Sequence, residues 1–219
     1  EKNRSEINYE LNKALRSCRW VESLTFSSGL KHFTDNSPTE KLLSLPSKIF
    51  AQIRGTLKGK KTIITMPPPI RGSGGHRTIL NLAKGLSNLQ CDVDIQIEEF
   101  NSDLSYIQEE LRGYPIKITQ WWRPGSEVDI AIATVSHSAE FVADHINAGK
   151  KFYLVQDYEA SFNPVNDGYV NAQNSYQYSL IPLCVGSWLP HLLYKEYGLK
   201  SYYAGLGVDQ SVYRRINQI

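Results

Sequence analysis

The sequence predicts an α/β domain of the Rossmann-like kind, a parallel sheet with helices on both faces, preceded by a helical N-terminal extension. Three observations carry this: strands that read as short, nearly continuous apolar runs, amphipathic helices between them, and a proline- and glycine-rich loop after the first strand. The 219 residues are 41% hydrophobic and 21% charged, enough for one domain over 61–219 with an extension and linker over 1–60.

The extension opens with Ile7, Leu11, Leu15 and Cys18 at helical spacing, which predicts one amphipathic helix over 5–22. Ser, Pro, Gly and Lys then dominate to residue 61, a linker with at most a short helix over 49–53. Its end is basic, with Lys48, Arg54, Lys58, Lys60 and Lys61, and reads either as a solvated face or as a peripheral contact with anionic lipid. From Thr62 strands and helices alternate. Strands are predicted at 62–66, 93–97, 116–119, 128–133, 152–155 and 181–185, with a last short one near Tyr202. Helices are predicted at 75–89, 104–111, 138–148 and 189–197.

Composition excludes several classes of function. A net charge of +2, with no Arg/Lys-rich helix interleaved with aromatics, argues against nucleic acid. Cys18, Cys91 and Cys184 stand far apart without metal-ligand spacing, which predicts reduced thiols, no metal site and a cytoplasmic protein. No apolar run approaches the ~20 residues of a membrane span, and the opening Glu1-Lys2-Asn3-Arg4 has no signal-peptide core. The chain is therefore expected in the cytoplasm, at the inner face of the membrane if the basic stretch binds lipid. Its 13 Tyr and 4 Trp suit either sugar rings or core and rim packing.

The segment Pro67-Pro68-Pro69-Ile70-Arg71-Gly72-Ser73-Gly74-Gly75-His76-Arg77 joins the first strand to the first helix, at the end of the sheet where such folds bind ligands. Glycines let backbone approach a ligand, and the free amides of a helix N-terminus suit phosphate; a tight turn needing positive φ is the alternative. The dinucleotide fingerprint Gly-x-Gly-x-x-Gly fails at Arg77, and no Walker A pattern follows Gly74-Gly75. The broken fingerprint and the three prolines, which lengthen the loop, disfavour a nucleotide-dependent oxidoreductase.

Strand, long loop, Gly-Gly and a helix beginning His-Arg-Thr-Ile-Leu resemble the first βα unit of GT-B glycosyltransferases of the glycogen-synthase-like, mostly retaining superfamily. Tyr153-Leu154-Val155-Gln156-Asp157-Tyr158-Glu159, the helix at Asn174-Ser175-Tyr176, Val185-Gly186-Ser187-Trp188 and Gly205-Leu206-Gly207-Val208-Asp209 follow in the expected order. As a set they are similar to the WsaF-type bacterial rhamnosyltransferases, over residues 60–213. The resemblance implies a nucleoside-diphosphate-sugar donor such as dTDP-rhamnose, a glycan acceptor, and no metal or other cofactor. It also implies a second domain, beyond Val208-Asp209, that holds most of the nucleotide-sugar and carries a Glu-x7-Glu pair; a chain without that half is expected to transfer no sugar.

Carried over by resemblance, Gly74 and Gly75 lie against the donor diphosphate, with His76 and Arg77 contributing charge and Arg71 as a further candidate. His137 follows an apolar strand where related enzymes place a polar residue near the reacting sugar; capping the next helix is the alternative reading. Asp157, Tyr158 and Glu159 follow another strand. Their carboxylates and ring suit sugar hydroxyls and a sugar face, or else an N-cap or ion pair. His137, Asp157 and Glu159 are the candidate bases if the reaction inverts the anomeric centre. Trp121, Trp122, Tyr158 and Phe162 are the candidate acceptor walls, core packing being the alternative for at least one tryptophan. A non-catalytic glycan-binding or scaffold module of the same fold is the competing function.

Overall fold

The computed structural model describes residues 57–205. The predicted helices at 5–22 and 49–53 lie outside that range, as do Lys48, Arg54, Cys18 and Val208-Asp209. Seven strands form one sheet: β1 (Lys61–Met66), β2 (Asp92–Ile97), β3 (Lys117–Gln120), β4 (Glu127–Ala133), β5 (Asn147–Val155), β6 (Ile181–Cys184) and β7 (Tyr202–Tyr203). Between them run α1 (Gly74–Asn88), α2 (Ser105–Glu110), α3 (Ser136–His145), α4 (Asp167–Asn174) and α5 (Leu189–Tyr197), with 3-10 turns at Glu159–Phe162 and Ser175–Gln177.

The strand order is β3-β2-β1-β4-β5-β6-β7 and every neighbouring pair is parallel. A chain that winds outward from β1 in one direction and from β4 in the other reverses between these two strands, and the crevice at their carboxyl ends is the binding position of doubly wound sheets. This is the Rossmann-like α/β fold that the apolar runs predict. The two faces are legible residue by residue. Ile130, Ile132, Phe152 and Leu154 join the core that holds Ile79, Leu80 and Leu86 of α1; Ala131, Ala133, Tyr153 and Val155, one position on, join the core with Val142 of α3 and Leu189 of α5. Alternation by two along each strand, with both faces covered, produces the continuous apolar runs seen in the sequence.

One boundary differs from expectation. The helix predicted over 138–148 starts earlier, at Ser136, and ends at His145; Ile146 is already extended, at φ −108° and ψ 126°. Asn147 and Ala148 belong instead to β5, opposite Glu127 and Val128 of β4. Asn-Ala-Gly-Lys-Lys carries no strand signal of its own, so pairing with β4 overrides local preference. Gly149 fits that close pairing, since a Cβ there would stand 3.1 Å from the Asp129 carbonyl oxygen. The helix expected at Asn174-Ser175-Tyr176 starts further back: α4 runs over Asp167–Asn174 and a 3-10 turn over Ser175–Gln177 follows it. Its start is chemically plain: the Asn166 side chain accepts hydrogen bonds from the amides of Gly168 and Tyr169, as an N-cap should.

Cys91 and Cys184 are buried free thiols, and burial pushes the Cys91 thiol up to about 11. The end of the basic stretch is partly engaged: Lys60 pairs with Asp129 at 2.7 Å, and Lys61 opens β1. No helix among the described residues is long and apolar enough to cross a membrane.

Candidate functional site

The loops after β1, β4 and β5 leave adjacent strand ends, so the sheet gathers the Gly-Gly turn, His137 and the Gln156–Glu159 segment along one rim. Ser73 caps α1, its hydroxyl accepting from the His76 amide at 3.4 Å, and the Arg77 amide closes the first turn on the Ser73 carbonyl. The amides of Gly74 and Gly75 have no acceptor among the described residues. Neither glycine needs positive φ; that demand falls on Gly72, at φ 84°. A Cβ on Gly74 would meet nothing within 4 Å, whereas one on Gly75 would lie 3.3 Å from Oε1 of Gln156. Gly75 therefore answers to close approach by Gln156, a rim residue that sequence reasoning missed. Its only signal is position, directly after an apolar strand.

The charges assigned beside these glycines divide. His76 is buried, and its Nε2 donates to the Pro68 carbonyl at 3.1 Å, which fastens the proline loop. The Pro68 oxygen can only accept, so Nε2 carries a proton, and Nδ1 is buried with no hydrogen-bond partner among the described residues. Burial holds the His76 pKa below its ordinary value. The unfolded chain then protonates first; stability is complete above about pH 6.5 and is lost as pH falls from there through the folded-state value. Urea unfolding is expected to show the midpoint falling between about pH 7.5 and pH 5.5, by less in His76→Gln than in the parent. Parallel curves for the two proteins would show that His76 takes no part.

Arg71 is likewise not free. It pairs with Glu109 of α2 at 2.8 Å and lies 5.1 Å from the centre of the Tyr106 ring. Both ion-pair partners are exposed, so this contact is weak and a doubly charged ligand would compete with it. Arg77, half-buried in the first turn of α1, has no side-chain partner among the described residues.

His137 sits in the first turn of α3 and reaches across the end of β1. Its Nε2 stands 3.0 Å from a carboxylate oxygen of Glu98, just past β2, and its ring stacks on Trp122 at 5.6 Å. The His137 side chain remains 52% exposed, so the pair meets solvent at the rim. Glu98 is a second residue that the sequence reading passed over. Trp122 is half-buried, donating Nε1–H to the Gln96 carbonyl at 3.0 Å and packing on Phe141. Trp121 is 48% exposed and stacks on Phe100. Neither tryptophan is a core residue.

Beyond β5 the expected acceptor residues part company. Glu159 accepts from the Tyr153 hydroxyl and from the Ser136 amide at the start of α3, both at 2.7 Å, and so places an anion from outside the helix at its N-terminus. Tyr158 is engaged within the protein. Its ring lies parallel to Tyr176 at 5.7 Å, and its hydroxyl is bonded to Tyr197 and Gln173, so one ring face and the polar tip belong to a tyrosine cluster. Asp157 is exposed and turns one oxygen to the Tyr158 amide. Phe162, at the end of the 3-10 turn, is 68% exposed.

Asp92-Val93-Asp94 forms an Asp-x-Asp triplet, but it opens β2 at the opposite end of the sheet, where Asp94 accepts from Lys117 and Thr119. No group of three or more His, Cys, Asp or Glu that could hold a metal occurs among the described residues. Fold and rim together define a doubly wound α/β domain whose first helix presents free amides at the switch point. Compared with family models and with curated proteins, the chain matches none.

Proposed function

We propose that this chain is the acceptor-side half of a glycosyltransferase that moves a hexose, rhamnose or a close relative, from a nucleoside-diphosphate-sugar to a growing surface glycan. One observation carries the reading. Two helix N-termini face the crevice at the switch point; that of α3 already holds the Glu159 carboxylate, while that of α1 offers the amides of Gly74 and Gly75 with Arg77 behind them. A diphosphate leaving group needs such fixed donors, and preorganised donors aimed at developing charge are a large term in catalysis without a metal. In this reading a second Rossmann-like domain supplies the rest of the donor site. The His137–Glu98 pair stands at the rim, where an acceptor hydroxyl would lose its proton.

The experiment is a heteronuclear NMR titration of the chain with dTDP. The amides of Gly74, Gly75 and Arg77 are expected to shift together and to do so less at high salt. A glycan-binding module that merely shares the fold would leave these signals in place, and that result would withdraw the transferase reading.

A further inference from the structure

The segments leaving β2 and β3 run side by side, because these strands are parallel neighbours. Each presents an aromatic ring to solvent. Phe100 and Trp121 stack with centroids 4.8 Å apart and planes 11° from parallel, yet remain 60% and 48% exposed. Trp121 adopts φ 75°, the left-handed region, which is costly for a bulky residue and persists only where the surroundings impose it. Here they do. Immediately after it, Trp122 is fixed to the Gln96 carbonyl, and the Arg123 amide donates to Oε1 of the same buried Gln96 at 3.0 Å. The backbone is held in a strained turn that keeps a large ring outside the core.

The surroundings of the ring pair select a ligand class. Glu98 and Glu99 precede Phe100 directly, Asp103 follows it, and His137 stacks on the neighbouring Trp122. Three carboxylates disfavour a nucleotide or any other anion that could stack on the rings. A flat apolar face on a chain segment that carries these carboxylates, with the His137 imidazole beyond Trp122, matches instead a neutral sugar ring, whose axial C–H face is apolar and whose hydroxyls radiate outward. Two rings are too small a patch for a protein interface of ordinary size.

We infer that Phe100 and Trp121 form a stacking platform for a neutral pyranose residue of a glycan, next to the His137–Glu98 pair. This rests on the glycosyltransferase reading only for its role; as a sugar site it stands on the rings themselves. It moves the acceptor from Tyr158, whose ring is engaged, to the β2–β3 side of the rim. A glycan lying on the platform extends toward His137 through Trp122.

The test follows the tryptophan indole signals of the 219-residue chain by NMR, with a rhamnose trisaccharide, with maltotriose and with dTDP in separate titrations. The Trp121 indole is expected to shift with at least one trisaccharide and not with dTDP. Phe100→Ala and Trp121→Gly should each weaken that binding by roughly 5- to 150-fold, the range for loss of one stacking ring. Trp121→Gly is the cleaner variant, since glycine accepts the positive φ and the fold should be at least as stable as the parent. The inference is overturned if neither trisaccharide shifts the Trp121 indole at millimolar concentration, if affinity is unchanged in both variants, or if dTDP produces the shift. Glycine amides that respond to dTDP while Trp121 ignores sugar would remove the platform and leave the transferase reading standing. The reverse pattern would remove the transferase reading alone.

Discussion

Replacing Glu159 with alanine is expected to destabilise the domain by about 3 kcal/mol, lowering Tm by roughly 6–12 °C. The side chain connects two halves of the rim. One oxygen takes the hydroxyl of Tyr153, a residue 1% exposed; the other takes the first amide of α3. Its own amide donates to the Tyr176 hydroxyl oxygen at 3.0 Å. Alanine leaves the buried phenol with only the Ser175 hydroxyl, 3.4 Å away, and the α3 N-terminus without its anion, and each loss is of the charged-hydrogen-bond size, about 1.5 to 3 kcal/mol before water and Ser175 recover part of it. Burial, with the Glu159 charge beside it, already holds the Tyr153 phenol well above its ordinary pKa, so ionisation offers it no escape. Tyr153→Phe should cost about 1 kcal/mol, and the double variant less than the sum, because both changes remove one shared bond. Chemical denaturation of the four proteins measures this. A loss below about 0.5 kcal/mol in Glu159→Ala would return the carboxylate to the list of candidate bases.

That outcome separates what the sequence could and could not tell about this region. Apolar runs such as Ile130 to Ala133 declare a strand buried on both faces because hydrophobicity is carried by each residue alone. Asp157, Tyr158 and Glu159 likewise declare that something polar follows β5. Whether Glu159 faces a sugar or the amide of Ser136, 23 positions earlier, depends on a tertiary approach with no local signature. The same holds for Glu98 and His137, 39 positions apart, and for Gln156 against Gly75. The same holds for His76: after Gly-Gly in a phosphate-like loop it reads as charge, whereas its burial against Pro68, which lowers its pKa, has no local signature. The alternation of strands and helices, in contrast, points by itself to the carboxyl ends of the strands as the ligand side, while the order β3-β2-β1-β4-β5-β6-β7 that makes β1, β4 and β5 neighbours comes from the structure.

The two glycines at the start of α1 are expected to separate stability from ligand binding. Gly74 has ordinary backbone angles, stands in the first helical turn, and a Cβ on it meets no protein atom within 4 Å. Gly74→Ala should therefore stabilise the chain by about 0.5 kcal/mol, the usual gain when alanine replaces glycine in a helix. If a diphosphate lies against that backbone, the same methyl group occupies the ligand's place, and dTDP affinity should fall by about tenfold or more, equivalent to about 1.4 kcal/mol. Gly75→Val acts through the protein as well: its Cβ begins 3.3 Å from the Gln156 amide oxygen, and the branched side chain must turn Gln156 aside. Gln156 is a flexible side chain with no hydrogen-bond partner among the described residues, so the fold should yield with a change below about 1 kcal/mol while dTDP binding is lost. Adding Gln156→Ala to Gly75→Val relieves the contact and should restore stability without restoring affinity. Paired denaturation and calorimetric titrations report the two quantities independently. Full dTDP affinity in Gly74→Ala would mean that the open space beside this glycine is solvent alone, and the diphosphate would have to be sought away from α1.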